Sequence, residues 1–294
     1  MTAVSTAPRA AAQLLGTSRP LSWVNTAYPF AAAYLLAGGG VDAALVVGTL
    51  FFLIPYNLLM YGVNDVFDHD SDLRNPRKGG VEGIVLDRRV HRLTLWSAAL
   101  TTLPFAVALL AMGGAVSALV LLLVLAAVVG YSAPGLRLKE RPVLDSVTSS
   151  AHFVGPAAFG LALAGAPLGL TAAASLVAFF LWGMASHAFG AVQDVEPDRA
   201  AGIGSIATVI GAARTVRLSL LLYAAAGAVM LLTGWPAALA GLLTLPYLVS
   251  IWPFRALSDD RAEQANRGWR RFLWLNLVTG FLLTQLLIVI ALRR

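Results

Sequence analysis

The sequence predicts an all-α, polytopic membrane protein with nine transmembrane helices. Three observations predict it. Hydrophobic residues make up 58% of the chain and charged residues 12%, about half the charge of an ordinary soluble domain. The apolar residues gather into nine intervals close to the roughly 20 residues that a span needs. The basic residues fall almost entirely on one side of those intervals.

In chain order, residues 1–19 are Ala-rich and carry Arg9 and Arg19. They lack a continuous apolar run, so they read as a flexible N-terminal segment rather than a cleaved signal. The intervals follow at 21–38, 43–63, 93–112, 115–133, 144–165, 168–192, 218–233, 235–253 and 272–291. Gly and Pro punctuate the joints, as at Gly113-Gly114, Pro134-Gly135, Gly165-Ala166-Pro167 and Gly234-Trp235-Pro236. No polar linker is long enough to separate two halves, so residues 1–294 read as a single domain.

With the N-terminus in the cytoplasm, 19 of the 21 Lys and Arg residues lie in inner segments, and the four outer loops hold none. This bias sets the orientation. The pI of about 10.1 therefore reflects membrane topology, with lipids and no nucleic acid as the partner. The absence of cysteine excludes disulfides, a thiolate nucleophile and a zinc-thiolate site.

Two acidic clusters stand at the cytoplasmic ends of apolar intervals. The first is Asn64-Asp65-Val66-Phe67-Asp68-His69-Asp70-Ser71-Asp72, and the second is Gln193-Asp194-Val195-Glu196-Pro197-Asp198. Together they hold seven of fifteen carboxylates. Unpaired carboxylates beside a bilayer are expensive, so a divalent cation is expected there. On one continuous helix, Asn64, Asp68 and Asp72 fall within about 80° of arc and Asp65 at about 100°, so four oxygen-bearing side chains share one face. Hard oxygen donors on one stripe suit Mg²⁺, which completes its octahedron with water and substrate phosphates. Asp194 and Asp198 share a helical face, Gln193 adjoins them, and Pro197 is expected to kink or end the helix. A solvated helix terminus is the plainer reading of either cluster.

Between the clusters, Tyr131-Ser132-Ala133-Pro134-Gly135 leads into Arg137, Lys139 and Arg141. These three, with Arg77 and Lys78 in a Gly-rich loop, serve either as phosphate ligands or as topology determinants. His187 lies about two turns before Asp194. It reads either as a base or cation-stabilising group or as a packed polar contact between helices.

Asn64-Asp65-x-x-Asp68-x-x-x-Asp72 resembles the NDxxDxxxD signature of the UbiA superfamily of intramembrane prenyltransferases. Asp194-x-x-x-Asp198 with the tail Gly202-Ile203-Gly204-Ser205-Ile206-Ala207-Thr208 resembles its second motif. Tyr131 to Lys139 resembles its loop after the fourth helix. The likeness runs from residue 20 to the end. The stretch Asn64 to Gly83, together with Gln193 to Asp198, is most similar to the lycopene elongases of C50 carotenoid biosynthesis.

The resemblance implies nine transmembrane helices around a central cavity. It implies Mg²⁺ bound by Asp65, Asp68, Asp72, Asp194 and Asp198, beside Asn64, holding an allylic diphosphate donor. On this view Arg137, Lys139, Arg141, Arg77 and Lys78 face the diphosphate. The rings of Tyr61, Phe67 and Tyr131 are candidates to stabilise the allylic cation, with His187 and Gln193 near the pocket. A lipophilic acceptor, lycopene in this branch, arrives from the bilayer. Two alternatives stay open: prenylation of a quinone precursor or another lipid by the same chemistry, and a cation-coupled transporter. A transporter more typically places its carboxylates near the bilayer midplane.

Overall fold

The computed structural model of the protein describes residues 6–73 and 84–293, and every regular element among them is helical. Seven helical stretches are long and apolar enough to cross a membrane: Ala43–Phe67, Arg88–Met112, Ala115–Ser132, Leu170–Val192, Ala212–Thr233, Ala237–Phe254 and Asp259–Leu292. They coincide with seven of the nine expected intervals. The other two, 21–38 and 144–165, contain shorter or more polar helices, Val24–Leu36 and Leu144–Leu163. The chain divides into two compact units, Met1–Arg137 with Gly155–Ala166, and Leu138–Val154 with Pro167–Arg294.

Unit one contains α1 (Thr6–Thr17), α2 (Val24–Leu36), α3 (Ala43–Leu53), α4 (Pro55–Phe67), α5 (His69–Asp72), α6 (His91–Met112), α7 (Ala115–Ser132) and the second half of α8 (Leu144–Leu163). Where the composition suggested a flexible N-terminus, α1 forms; alanine is the strongest helix former. The interval 43–63 is two helices. Ile54 departs from helical geometry at φ −118°, and Pro55 starts α4, a position where its missing N–H is no loss. Such a break frees carbonyls that no water can reach inside a bilayer. Asn57 meets them, donating from Nδ2 to Phe52 O at 2.8 Å and Leu53 O at 3.1 Å, and Thr26 Oγ1 donates to Phe52 O at 2.7 Å. Asp42 caps α3 by accepting from the Leu45 N–H at 3.0 Å.

An aromatic cluster of Phe30, Phe51, Phe52, Tyr56 and Phe159 fills this unit, all without exposure. Neighbouring rings lie 4.8–6.0 Å apart in edge, tilted and stacked pairs. Glycines let the helices approach this closely. A Cβ on Gly160 would sit 2.5 Å from the Phe30 carbonyl oxygen, and one on Gly48 would strike the Phe30 ring.

Unit two contains the first half of α8, then α9 (Leu170–Val192), α10 (Val195–Ala201), α11 (Ile206–Ile210), α12 (Ala212–Met230), α13 (Leu245–Ile251) and α14 (Asn266–Leu292). Its core gathers Phe189, Tyr223, Tyr247, Ile251 and Phe272, with Trp182 packed against them. Two buried tyrosine hydroxyls are paired: Tyr223 with Ser186 at 2.9 Å, and Tyr247 with Asn276 at 2.8 Å and Thr279 at 2.6 Å. Sharing these bonds inside the membrane removes the cost of burying the groups alone.

Candidate active site

Both acidic clusters stand where a helix stops. α4 ends at Phe67, and Asp68 follows with φ −100° and ψ 1°, a sparsely populated conformation common at functional residues. The expected continuous helix is therefore broken, yet its pitch survives. The Asp68 N–H donates to the Asn64 carbonyl at 2.9 Å and the Asp72 N–H to the Asp68 carbonyl at 2.8 Å. Asn64, Asp68 and Asp72 keep their four-residue spacing through the bend.

Asp65 departs from the shared face expected of it: an ideal helix puts it within about 20° of Asp72, but its carboxylate turns to Thr17 and Arg19 instead. Its carboxylate is fully buried, accepts a short hydrogen bond from Thr17 Oγ1 and lies 3.3 Å from Arg19 Nη2. A buried carboxylate requires such partners, and the last residue of α1 and Arg19 just beyond it supply them. The Arg19 guanidinium carbon also sits 4.1 Å from the centroid of the Tyr61 ring. One face of Tyr61, expected to meet a substrate cation, is thus covered by an internal one.

The loop after α7 closes on the same cluster. Ser132 Oγ donates to Asn64 Oδ1 at 2.9 Å. The chain then turns through Gly135 at φ 85° and Arg137 at φ 38°; glycine adopts this left-handed backbone without a steric cost. Arg137 Nη2 ends 3.5 Å from Asp68 Oδ1, with the side chains 33% and 14% exposed. Both side chains keep some exposure, unlike that of Asp65. Phe67 and Tyr131 are half-buried. At the rim, Arg88 pairs with Asp70, and the His69 and His91 rings meet at 4.8 Å. Arg77 and Lys78 lie outside the described residues.

In unit two, α9 ends at Val192, and Asp194 adopts φ −102° and ψ 3° before α10. The Asp198 N–H donates to the Asp194 carbonyl at 2.9 Å. Pro197 ends nothing. The helix has already stopped, and Pro197 sits in the first turn of α10, where its missing N–H had no intrahelical partner. Gln193 is held between the Gly190 carbonyl at 3.0 Å and Asn266 Nδ2 at 2.6 Å, which makes it a brace to the start of α14.

The tail of the second motif is equally fixed. Gly202 ends α10 at φ 70°, and a Cβ on Gly204 would lie 2.6 Å from the Glu140 carbonyl oxygen. Ser205 and Thr208 form a capping box on α11. Arg199 donates to the Thr208 carbonyl at 2.7 Å and to Asp259 at 2.6 Å. Lys139 is half-buried in the 3₁₀ turn Leu138–Glu140, and Arg141 is exposed. His187 keeps company with Asp145: Nε2 lies 4.0 Å from Asp145 Oδ2.

The donors of the two motifs are carboxylate and amide oxygens, a set that suits Mg²⁺. Among the described residues, no three His, Asp or Glu side chains converge into a preformed metal cage. Asp65 and Asp68 are compensated by arginines instead. Sequence reasoning missed Thr17, Arg19 and Asp145. For Asp145 a signal was present, since an acid inside an apolar interval marks a functional position by default. Arg19 gave none beyond its charge.

The chain is similar to known proteins over most of its length. The model described as the UbiA prenyltransferase family matches residues 26–278. The C(50) beta-cyclic carotenoids biosynthesis protein LbtBC of Dietzia sp. is 54% identical over 276 residues, covering 94% of this chain and 64% of that protein's length. The lycopene elongase/hydratase of Corynebacterium glutamicum is 50% identical over 277 residues, covering 94% of this chain and 96% of that one. A solved UbiA homolog from Archaeoglobus fulgidus, bound to DMAPP and Mg²⁺, has a TM-score of 0.66 at 19% identity, covering 91% of this chain and 98% of that one. At that identity the likeness is one of fold.

Proposed function

The chain belongs to the UbiA prenyltransferase family, and on that premise we propose that it transfers a dimethylallyl group from its diphosphate to the end of lycopene, then adds water. The observation that carries this reading is the 50% identity, over nearly the full length of both chains, to a lycopene elongase/hydratase. Membership of a prenyltransferase family removes the transporter reading. The nine apolar intervals are taken as nine spans of one catalytic domain around a central cavity, with the N-terminus and both motifs in the cytoplasm.

Asp68, Asp72, Asp194 and Asp198 are the proposed holders of Mg²⁺, with Asn64 beside the first pair and Asp65 braced behind it. When bound, the ion supplies Lewis-acid stabilisation of the diphosphate oxygens. The protein's own contribution begins with Arg137. It neutralises Asp68 at 3.5 Å; once that carboxylate takes another cation, the guanidinium is available to the departing diphosphate. Lys139 and Arg141 are proposed as further diphosphate contacts, with Arg77 and Lys78. Phe67 and Tyr131 are proposed to border the allylic cation and exclude water, a cation–aromatic contact being worth about 2 kcal/mol when desolvated. The acceptor has no polar group, so its binding rests on apolar burial.

Pigment analysis of a lycopene-producing host expressing the chain tests this. Carotenoids longer than lycopene by one or two prenyl units, with a tertiary hydroxyl added at each elongated end, are expected. Unchanged lycopene alongside a prenylated quinone precursor would replace this acceptor with the aromatic one.

A further inference from the structure

We propose that His187 accepts the proton released when water adds to the elongated carotenoid cation, with Asp145 as the positioning residue behind it. This rests on the reading just given, water addition included. The motive is a buried acid with no role in either aspartate motif. Asp145, second residue of α8, has no exposure. Its Oδ1 accepts from the Ser146 N–H at 2.7 Å and its Oδ2 from the Ile206 N–H at 2.8 Å. Two backbone donors suit an ionised carboxylate, yet a lone buried anion in a membrane is costly. Among the described residues, His187 is the one basic side chain within ion-pair distance, Nε2 to Oδ2 at 4.0 Å. The carboxylate is sealed, whereas the His187 side chain keeps 24% of its surface open. That asymmetry suits a base presented outward and a carboxylate held behind it.

Position supports the role. His187 lies on α9 five residues before its last residue, Val192, about 7 Å of helix rise. It is therefore deeper along the helix axis than the second motif, which follows the helix end. A prenyl diphosphate whose phosphates sit at the motif would extend its hydrocarbon in that direction.

The step balances as follows. The donor C–O bond breaks and its electron pair leaves with the diphosphate. The π pair of the acceptor's terminal alkene forms the new C–C bond, which leaves a tertiary cation on the acceptor. A lone pair of water forms a C–O bond to that cation. One proton passes from this oxygen to His187 Nδ1, and its O–H bond pair stays as the hydroxyl. The products are a tertiary alcohol and an imidazolium facing the Asp145 carboxylate. In a water-poor pocket without a base, the protonated alcohol expels water again, and the cation drains by losing a proton from a neighbouring carbon to give an alkene.

The ratio of alcohol to alkene among elongated pigments reads the dyad directly and does not depend on how much protein folds. In a lycopene-producing host, His187→Ala is expected to lower that ratio at least about tenfold, since a positioned base contributes 10² or more. Asp145→Asn should move it the same way by less. His187→Gln, which keeps size and a donor, is read identically should His187→Ala yield no pigment. An unchanged ratio, or one shifted toward alcohol, overturns the proposal. Loss of all elongated pigment in both His187 variants assigns the pair a structural role and overturns it too. No elongated pigment from the wild-type chain overturns the underlying reading instead.

Discussion

Asp68 and Asp194 share one backbone conformation, φ −100° and ψ 1° against φ −102° and ψ 3°. Each stands one residue beyond or just past a long helix, and each begins a short one. Each accepts, through its carbonyl, from the N–H of a second aspartate four residues on, Asp72 at 2.8 Å and Asp198 at 2.9 Å. The two motifs are thus the same local device built twice, which gives the second motif's proline its place as well.

Asp68→Ala and Asp198→Ala should each lower prenyl transfer at least about a hundredfold, the scale on which removal of one electrostatic contact to developing charge acts. Membrane yield and thermal unfolding in detergent should stay close to wild type. EDTA should stop the reaction and Mg²⁺ restore it. Near-normal turnover of either variant at saturating Mg²⁺ would remove that residue from the metal site.

Arg19→Ala should destabilise the protein, because it leaves the buried Asp65 carboxylate without its guanidinium. Losing one partner of a buried pair costs about 3–5 kcal/mol; with Arg19 21% exposed on its side chain, solvent reduces this to about 2 kcal/mol. Unfolding in detergent measures it. The double variant Arg19→Met with Asp65→Asn should recover part of the loss. Simple additivity of the two single effects would show that the pair is not coupled.

Arg137→Ala should raise the KM for dimethylallyl diphosphate about ten- to a hundredfold, the equivalent of about 1.5–3 kcal/mol for a charge-assisted contact. The same loss would appear in kcat if the guanidinium meets only the leaving group. Lys139→Ala should follow the same pattern. Donor constants within about twofold of wild type for both would move the diphosphate contact to Arg77 and Lys78.

The chain has no cysteine, so single introduced thiols report topology cleanly. Gly80→Cys should be labelled only from the cytoplasmic face and Ala166→Cys only from the outer face. Labelling of both from one side would break the nine-span topology and separate the motifs from a shared compartment.

Much of this was legible in the sequence because hydropathy is a sum over many residues. The interval 168–192 stops where α9 does, since the apolar run itself ends at Val192. Backbone angles are another matter: nothing in hydropathy distinguishes Asp68 inside a helix from Asp68 at its end. Pro55 did signal the break between α3 and α4, but an unbroken apolar run concealed it. The Arg19–Asp65 pair joins residues 46 positions apart, and such contacts leave no periodic trace. His187 was legible as a polar residue on an apolar helix; its partner Asp145 became apparent only when the fold brought α8 beside α9 within unit two.

The glycine contacts of unit one bear on how the protein survives extraction. Gly160 against the Phe30 backbone is held by close van der Waals approach, and in a bilayer such contacts owe nothing to the exclusion of water. Exchanging lipid for micelle changes the solvent around these helices but not the distance between them. α14 is different: Trp274, Leu277 and Phe281 project outward, each at least 63% exposed, and depend on whatever surrounds them. A detergent with a thin or poorly packed apolar layer should therefore loosen the C-terminal helix first and leave the aromatic cluster of unit one assembled.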